Sequence, residues 1–176
     1  IAKSKRVKTI DKVIDAIFQI QGGYALVMLT QNSLIGVRDP FGIRPLVIGK
    51  LGTSYVLASE TCALDIIGAK FIRDVENGEV VLIEKDELTS IKPFPPKKVR
   101  PCVFEYIYFA RPDSLLDGKT AYEHRKNIGA ELAKENDIEA DIVVPVPDSG
   151  NAAALGFAHY LKINYEHGLI RNHYVG

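Results

Sequence analysis

The chain has 176 residues, of which 47% are apolar, and its 22 basic residues are balanced by 22 acidic ones. This composition is typical of a soluble globular protein with one domain or parts of two. Balanced charge argues against a nucleic-acid or anionic-membrane partner, because both require a concentrated basic surface. The two cysteines, Cys62 and Cys102, form no disulfide framework, so we expect a reducing, cytoplasmic location.

The first half of the chain predicts a helix followed by closely spaced strands. Apolar residues at 10, 13, 14, 17 and 18 recur with helical spacing and predict an amphipathic helix over 8–20. The run 24–29 is apolar at every position, as expected of a strand covered on both faces. Further strands are predicted at 34–37, 46–48, 55–58 and 80–83. The short turns between them favour antiparallel sheet, and their apolarity predicts that the sheet lies between other layers.

A proline-rich stretch over 91–101 separates this region from the second half. It holds four prolines in eleven residues, which excludes a strand interior because proline has no amide donor. We therefore expect one domain over 1–95, a connection over 96–116 and a second domain over 117–176.

The second half predicts alternating helices and strands. A helix is expected over roughly 120–135, a strand at 142–146, a helix over 151–161 and a short strand at 168–170. This order is typical of the start of a parallel α/β sheet, so the fold class is α+β followed by α/β.

The most informative motif runs from Val144 to Asn151 and passes from the predicted strand into the predicted helix. Asp148 and Ser149 suit a helix N-cap, and Gly150 allows close approach of a ligand. The first amides of a helix can hold phosphate or pyrophosphate. A simple cap by Asp148 or Ser149 is the commoner use of such residues, and both interpretations stay open at this point.

Three other features favour structural roles. The turn over 38–45 could shape a substrate wall, but a rigid turn with a buried Arg–Asp pair is the better interpretation. The segment 111–114 predicts a proline-fixed turn. Tyr106, Tyr108 and Phe109 are expected in the core, since buried aromatics are more common than cofactor platforms. The four histidines show no metal-ligand spacing, and both cysteines are interpreted as inert thiols.

The segments 38–46, 58–65, 73–75, 104–114 and 171–176 together closely resemble amidophosphoribosyltransferases. The turn over 38–45 is shared by class II glutamine amidotransferases, whereas 104–114 combined with 171–176 is specific to this one family. The resemblance implies the C-terminal part of an N-terminal-nucleophile (Ntn) glutaminase with an αββα sandwich, followed by the start of a type I phosphoribosyltransferase domain.

The resemblance also implies the first committed step of purine synthesis. Ammonia released from glutamine displaces pyrophosphate from phosphoribosyl pyrophosphate, giving 5-phosphoribosylamine and glutamate. Magnesium accompanies the phosphates, purine nucleotides act as feedback inhibitors, and the full-length enzyme is a homo-oligomer.

Carried over to this sequence, the family's pyrophosphate loop falls on Asp148, Ser149, Gly150 and Asn151, and a nucleotide-phosphate contact falls on Arg171. Cys102 aligns with a possible [4Fe–4S] ligand of the full-length protein, and His173 stands where many relatives have arginine. No catalytic residue of the family falls within this chain, so the fragment alone is expected to be inactive. The alternatives are another class II amidotransferase, and a non-enzymatic remnant that senses purine nucleotides through Arg171 and 148–151.

Overall fold

The computed structural model describes residues 1–136 and 138–175 and divides them into two compact units. The first unit runs from Ile1 to Cys102, and the second begins at Val103. The expected domain over 1–95 lies inside the first unit, and the expected connection over 96–116 is divided between the two. The domain functions assigned to these ranges stay predictions.

The first unit consists of two helices and seven strands among its described residues. In chain order they are α1 (Thr9–Ile17), β1 (Ala25–Leu29), β2 (Leu34–Arg38), β3 (Val47–Leu51), β4 (Ser54–Ala58), α2 (Thr61–Ile66), β5 (Lys70–Asp74), β6 (Val80–Glu84) and β7 (Glu87–Ile91). The strands form one sheet in the order β1-β2-β6-β7 and another in the order β4-β3-β5. Every pairing in both sheets is antiparallel, which confirms the sequence prediction.

Three apolar clusters show that these elements are stacked in four layers. Val13 and Ile17 of α1 pack on one face of the first sheet. The second cluster fills the space between the sheets, with Ile48 of β3 and Val81 of β6. Leu64 of α2 packs against the outer face of the second sheet. The layer order is therefore helix, sheet, sheet, helix, in agreement with the expected αββα arrangement.

Two glycines allow these layers to approach. A Cβ atom on Gly36 would lie 2.7 Å from the Cδ1 atom of Leu57 and 2.8 Å from the Cγ2 atom of Val81, in the space between the sheets. A Cβ atom on Gly49 would lie 2.7 Å from the Cδ2 atom of Leu64, on the α2 side. Both separations are too short for a real side chain, so a larger residue at either position would have to displace these neighbouring side chains.

The expectation that the strand at 24–29 is covered on both faces is wrong. Within the described chain β1 is an edge strand, and its alternate residues Val27 and Leu29 are 51% and 82% exposed. Leu26 and Met28, on the other face, pack against the cluster beneath α1. An unbroken apolar run does not distinguish one covered face from two.

The second unit begins with a π-helical turn, Glu105–Phe109, and continues with short strands and two helices. In chain order they are β8 (Leu115–Leu116), β9 (Lys119–Thr120), α3 (Ala121–Glu135), β10 (Ile142–Val143), α4 (Asn151–Leu161) and β11 (Asn164–Tyr165). The predicted helices over 120–135 and 151–161 are confirmed, and β10 is shorter than the predicted strand at 142–146.

A strand at 168–170 does not form. Lys162 adopts the left-handed conformation that ends α4, and the chain turns back at once. Asn164 and Tyr165 then pair in parallel with Ile142 and Val143. The parallel arrangement is as predicted, but it begins earlier in the chain.

Helices α3 and α4 are in backbone contact at two glycines. A Cβ atom on Gly129 would lie 1.8 Å from the carbonyl oxygen of Ala153, and one on Gly156 would lie 1.9 Å from that of Lys126. The two helices can therefore pack this closely only because neither of these positions carries a side chain.

The expected burial of the aromatic segment is wrong for two of its residues, since Tyr108 is 62% exposed and Phe109 is 51% exposed. The buried groups here are instead Glu105 and Arg125. The Arg125 guanidinium donates to the carbonyl oxygens of Tyr106 and Ala110 at 2.8 and 2.7 Å, so it satisfies the backbone of the π-helical turn.

None of the helices formed by residues 1–136 and 138–175 has both the length and the apolar character needed to cross a bilayer.

Candidate functional site

The loop that joins β10 to α4 carries the predicted site residues Asp148, Ser149, Gly150 and Asn151. The N-cap of α4 is Gly150, and no side chain caps the helix. The interpretation of Asp148 or Ser149 as a side-chain cap is therefore wrong. Both side chains are exposed at the amino end of the helix, where the backbone dipole favours an anion.

A tight turn holds this loop in place. The Gly150 amide donates to the carbonyl oxygen of Val146 at 3.1 Å, and a Cβ atom on Gly150 would lie 2.6 Å from that same oxygen. Glycine is thus required by the turn itself. The peptide bond between Pro147 and Asp148 is cis.

Asn151 is the first residue of α4, and its side-chain oxygen is buried. Among the described residues this Oδ1 atom accepts no hydrogen bond, which is uncommon for a buried polar atom. The exposed carboxylate of Asp148 is the kind of oxygen ligand that Mg²⁺ accepts when substrate phosphates complete the coordination. The same ranges hold no group of three or more His, Cys, Asp or Glu residues arranged to bind a metal by themselves.

Arg171 lies next to this loop although 23 positions separate it from Asp148 in the sequence. Its Nη1 atom is 3.5 Å from the Oδ2 atom of Asp148, and the two side chains are 68% and 62% exposed. The nucleotide-sensing alternative assigned Arg171 and 148–151 to one site, and the structure brings Arg171 and Asp148 together.

The parallel pairing of β10 and β11 explains this proximity. The Glu166 amide donates to the carbonyl oxygen of Val143 at 3.0 Å, and Gly168 lies against the side chain of Val144. The segments that leave the two strands therefore run side by side. In α/β folds the carboxyl ends of parallel strands are where ligands usually bind.

The turn over 38–45 has a different character, because its aspartate is fully buried and bonded to backbone. The Asp39 carboxylate accepts hydrogen bonds from the amides of Phe41, Ile43, Arg44 and Tyr24, at 3.0, 3.1, 3.0 and 3.3 Å. Burial and the nearby Asp39 carboxylate raise the pKa of Tyr24.

Arg38 completes the same turn from the outside. Its guanidinium donates to the carbonyl oxygens of Arg44, Val75 and Gly42, at 2.9, 2.8 and 3.3 Å. The predicted rigid turn is confirmed, but Arg38 and Asp39 do not form the predicted Arg–Asp pair with each other. Each side chain binds backbone, so the carboxylate and the guanidinium hold the turn separately.

The two cysteines do not form a cluster site. Cys62 is buried at the start of α2, with its Sγ atom 3.7 Å from a carboxylate oxygen of Glu60. Cys102 is partly exposed, and its amide donates to the carbonyl oxygen of Ile43 at 3.2 Å. A [4Fe–4S] cluster requires about four cysteine thiolates, so the residues of this chain alone do not fit one.

The chain is similar to several known proteins. Residues 5–65 match the sequence profile of a glutamine amidotransferase domain. The amidophosphoribosyltransferase of Rhizobium etli is 56% identical over 181 residues, which cover 100% of this chain and 36% of that protein. The one from Synechocystis is 51% identical over 170 residues, covering 95% of this chain and 34% of that protein.

A solved structure shows the same relationship in three dimensions. Glutamine phosphoribosylpyrophosphate amidotransferase from Bacillus subtilis, in complex with ADP and GMP, aligns with a TM-score of 0.96 and 43% identity. The alignment covers 99% of this chain and 38% of that chain. The present chain thus spans about a third of the length of the relatives it matches. Over that span, the chain is closely similar to amidophosphoribosyltransferases.

Proposed function

We propose that the protein is an amidophosphoribosyltransferase, which uses ammonia from glutamine to convert phosphoribosyl pyrophosphate to 5-phosphoribosylamine, with release of pyrophosphate and glutamate. The observation that carries the proposal is the ion pair between Asp148 and Arg171 beside the amino end of α4. A cation beside the amino end of a helix that no side chain caps, at the carboxyl ends of two parallel strands, suits a phosphorylated ligand.

In this proposal the second unit is the start of a type I phosphoribosyltransferase domain, and its loop binds the pyrophosphate group. The amides at the start of α4 and the Ser149 hydroxyl donate to phosphate oxygens, and Arg171 supplies a positive charge. The exposed Asp148 carboxylate would help to hold the Mg²⁺ that accompanies the phosphates. Binding here positions the leaving group and stabilises the charge that develops on it.

The first unit is then the C-terminal part of an Ntn-type glutaminase. Support comes from its four layers and from the amidotransferase profile over 5–65. Cys62 is buried, and Cys102 uses its amide to fix a turn, so neither is proposed as the nucleophile. We propose that residues 1–176 do not turn over substrate alone.

The remaining elements of the proposal concern the whole enzyme. Its substrates are glutamine and phosphoribosyl pyrophosphate, and purine nucleotides regulate it through the site that includes Arg171. A homo-oligomer in the cytoplasm is proposed, and Cys102 is the residue of this chain that would contribute to a [4Fe–4S] cluster.

The binding part of the proposal is tested by calorimetric titration of the purified protein with inorganic pyrophosphate in the presence of Mg²⁺. Saturable binding is expected, and Ser149→Ala and Arg171→Gln should each weaken it several-fold. Glu139→Gln is the matched control, because this exposed carboxylate precedes β10 at the opposite end of the strand. Equal binding by all four proteins would remove the loop from the proposal.

The catalytic part is tested by glutamate release from glutamine in the full-length gene product. Release that depends on phosphoribosyl pyrophosphate is expected. Titration with AMP and GMP separates the nucleotide-sensing alternative, which requires saturable nucleotide binding with no turnover of either substrate by the full-length protein.

A further inference from the structure

The contact between Asp148 and Arg171 joins two segments that face the same ligand position. Asp148 lies just before α4, and Arg171 lies in the segment after β11. Their 3.5 Å separation and high exposure describe an ion pair at the surface of the loop. The negative charge at the amino end of α4 is therefore already supplied by the protein itself.

We propose that Asp148 is an internal competitor of the phosphate ligand. The Asp148 carboxylate pairs with the Arg171 guanidinium while no ligand is bound. When a diphosphate binds, the guanidinium pairs with the phosphate oxygens instead. This inference rests on the proposed function, and it assigns a regulatory role to a residue of the proposed site. Carboxylates and phosphates are alternative partners for a guanidinium, because both present oxygen pairs that match its donors.

The exposure of both side chains makes this exchange easy. Ion pairs between exposed side chains contribute little to stability, since water screens the charges and both side chains lose freedom. A diphosphate carries more negative charge than one carboxylate, and it also receives hydrogen bonds from the start of α4. Arg171 should therefore transfer to the ligand at low cost.

The backbone around Arg171 is suited to a transfer of the side chain alone. The Asn172 side-chain oxygen accepts a hydrogen bond from the Tyr174 amide at 2.9 Å, which fixes a turn directly after Arg171. The pairing of Glu166 with Val143 fixes the chain before it. The guanidinium can then change partners without a change in strand pairing.

The test is a double-mutant cycle read by calorimetric titration of inorganic pyrophosphate into the purified protein, at low ionic strength and without Mg²⁺. The proteins are the unaltered chain, Asp148→Asn, Arg171→Gln and the double variant. Glu139→Gln controls for the same change in net charge. Asp148→Asn should bind about two- to five-fold more tightly than the unaltered protein, the range open to an exposed ion pair. In the Arg171→Gln background this gain should largely disappear.

Two results would overturn the inference and leave the proposed function intact. One is saturable binding, weakened by Ser149→Ala, that Asp148→Asn does not improve. The other is an equal gain from Asp148→Asn in both backgrounds, which would show simple repulsion of the anion with no role for Arg171. Absence of pyrophosphate binding by every variant, repeated with Mg²⁺ present, would overturn the inference and the proposed pyrophosphate loop together.

Discussion

Arg73 donates two hydrogen bonds, of 2.8 and 2.7 Å, to a Glu79 carboxylate that has no exposed surface. The Glu76 amide donates a third at 2.6 Å. Burial by itself would raise the pKa of Glu79, but the hydrogen bonds from Arg73, Ser90 and Glu76 together lower it. The hydrogen bond to Glu79 in turn raises the pKa of Arg73.

Glu79 should therefore make the stability of the first unit depend on acidic pH. A carboxyl group with a lowered pKa in the folded state stabilises the fold above its ordinary pKa, about 4.3 for glutamate, and that contribution is lost as the pH falls. In Glu79→Gln, urea titrations between neutral and acidic pH should show a smaller loss of unfolding free energy below that value. The exposed Glu87→Gln should keep the full pH dependence. A slope unchanged by Glu79→Gln would contradict this account.

Asp39→Asn should destabilise the first unit strongly. Each carboxylate oxygen of Asp39 accepts two amide hydrogen bonds, whereas an asparagine would turn an NH₂ group toward two of those donors. Loss of bonds to a buried charge costs about 1.5–3 kcal/mol each, so we expect roughly 3–5 kcal/mol by chemical denaturation. Asp65→Asn, at an exposed position of α2, should change stability by less than about 0.5 kcal/mol. Similar values for the two variants would show that the turn does not depend on this charge.

Gly156→Ala should separate α3 from α4 even though alanine favours helix. The propensity gain is about 1 kcal/mol, but a Cβ atom 1.9 Å from the Lys126 carbonyl oxygen forces the backbones apart, and overpacking costs about 1–3 kcal/mol or more. Amide hydrogen exchange in α3 and α4 should become faster. Gly118→Ala is the control, because its Cβ atom would meet open space and only its left-handed backbone would be strained. Slower exchange in Gly156→Ala would refute the close contact.

Thr120→Ala should loosen the first turn of α3. Thr120 and Glu123 form a reciprocal capping box, with the Glu123 amide donating to the threonine hydroxyl at 3.1 Å. Loss of such a cap typically costs about 1 kcal/mol. Exchange of the first amides of α3 should accelerate, and Thr120→Ser should restore their protection. Equal protection in the alanine and serine variants would mean that the cap has no energetic role.

Strong apolar periodicity made α1 predictable from sequence. Helices α3 and α4 lack such periodicity, yet they fall within a residue or two of their predicted bounds. The strands β5 and β7 were missed because they are short, mixed in polarity and mostly exposed. Glu79 gave only a weak signal in the sequence, since it is a single acid between the turn at Asn77-Gly78 and the apolar strand β6.

The contacts of the candidate site were harder to predict than its residues. Asp148 and Arg171 each stand in recognisable motifs, but their meeting depends on the two-residue strands β10 and β11, which are too short to leave a periodic pattern. The role of Asp39 was hidden for a similar reason. An adjacent Arg38 suggests a local ion pair, whereas the carboxylate also reaches Tyr24, far away in sequence.

The contact between α3 and α4 at Gly129 and Gly156 affects how a ligand binds at the start of α4. No side chain separates the two helix backbones there, so α4 is held firmly against α3. Its amino end should therefore already be in position before a ligand binds. The conformational entropy lost on recognition should therefore fall mainly on exposed side chains such as that of Arg171, so the affinity of the loop depends on how much freedom those side chains lose on binding.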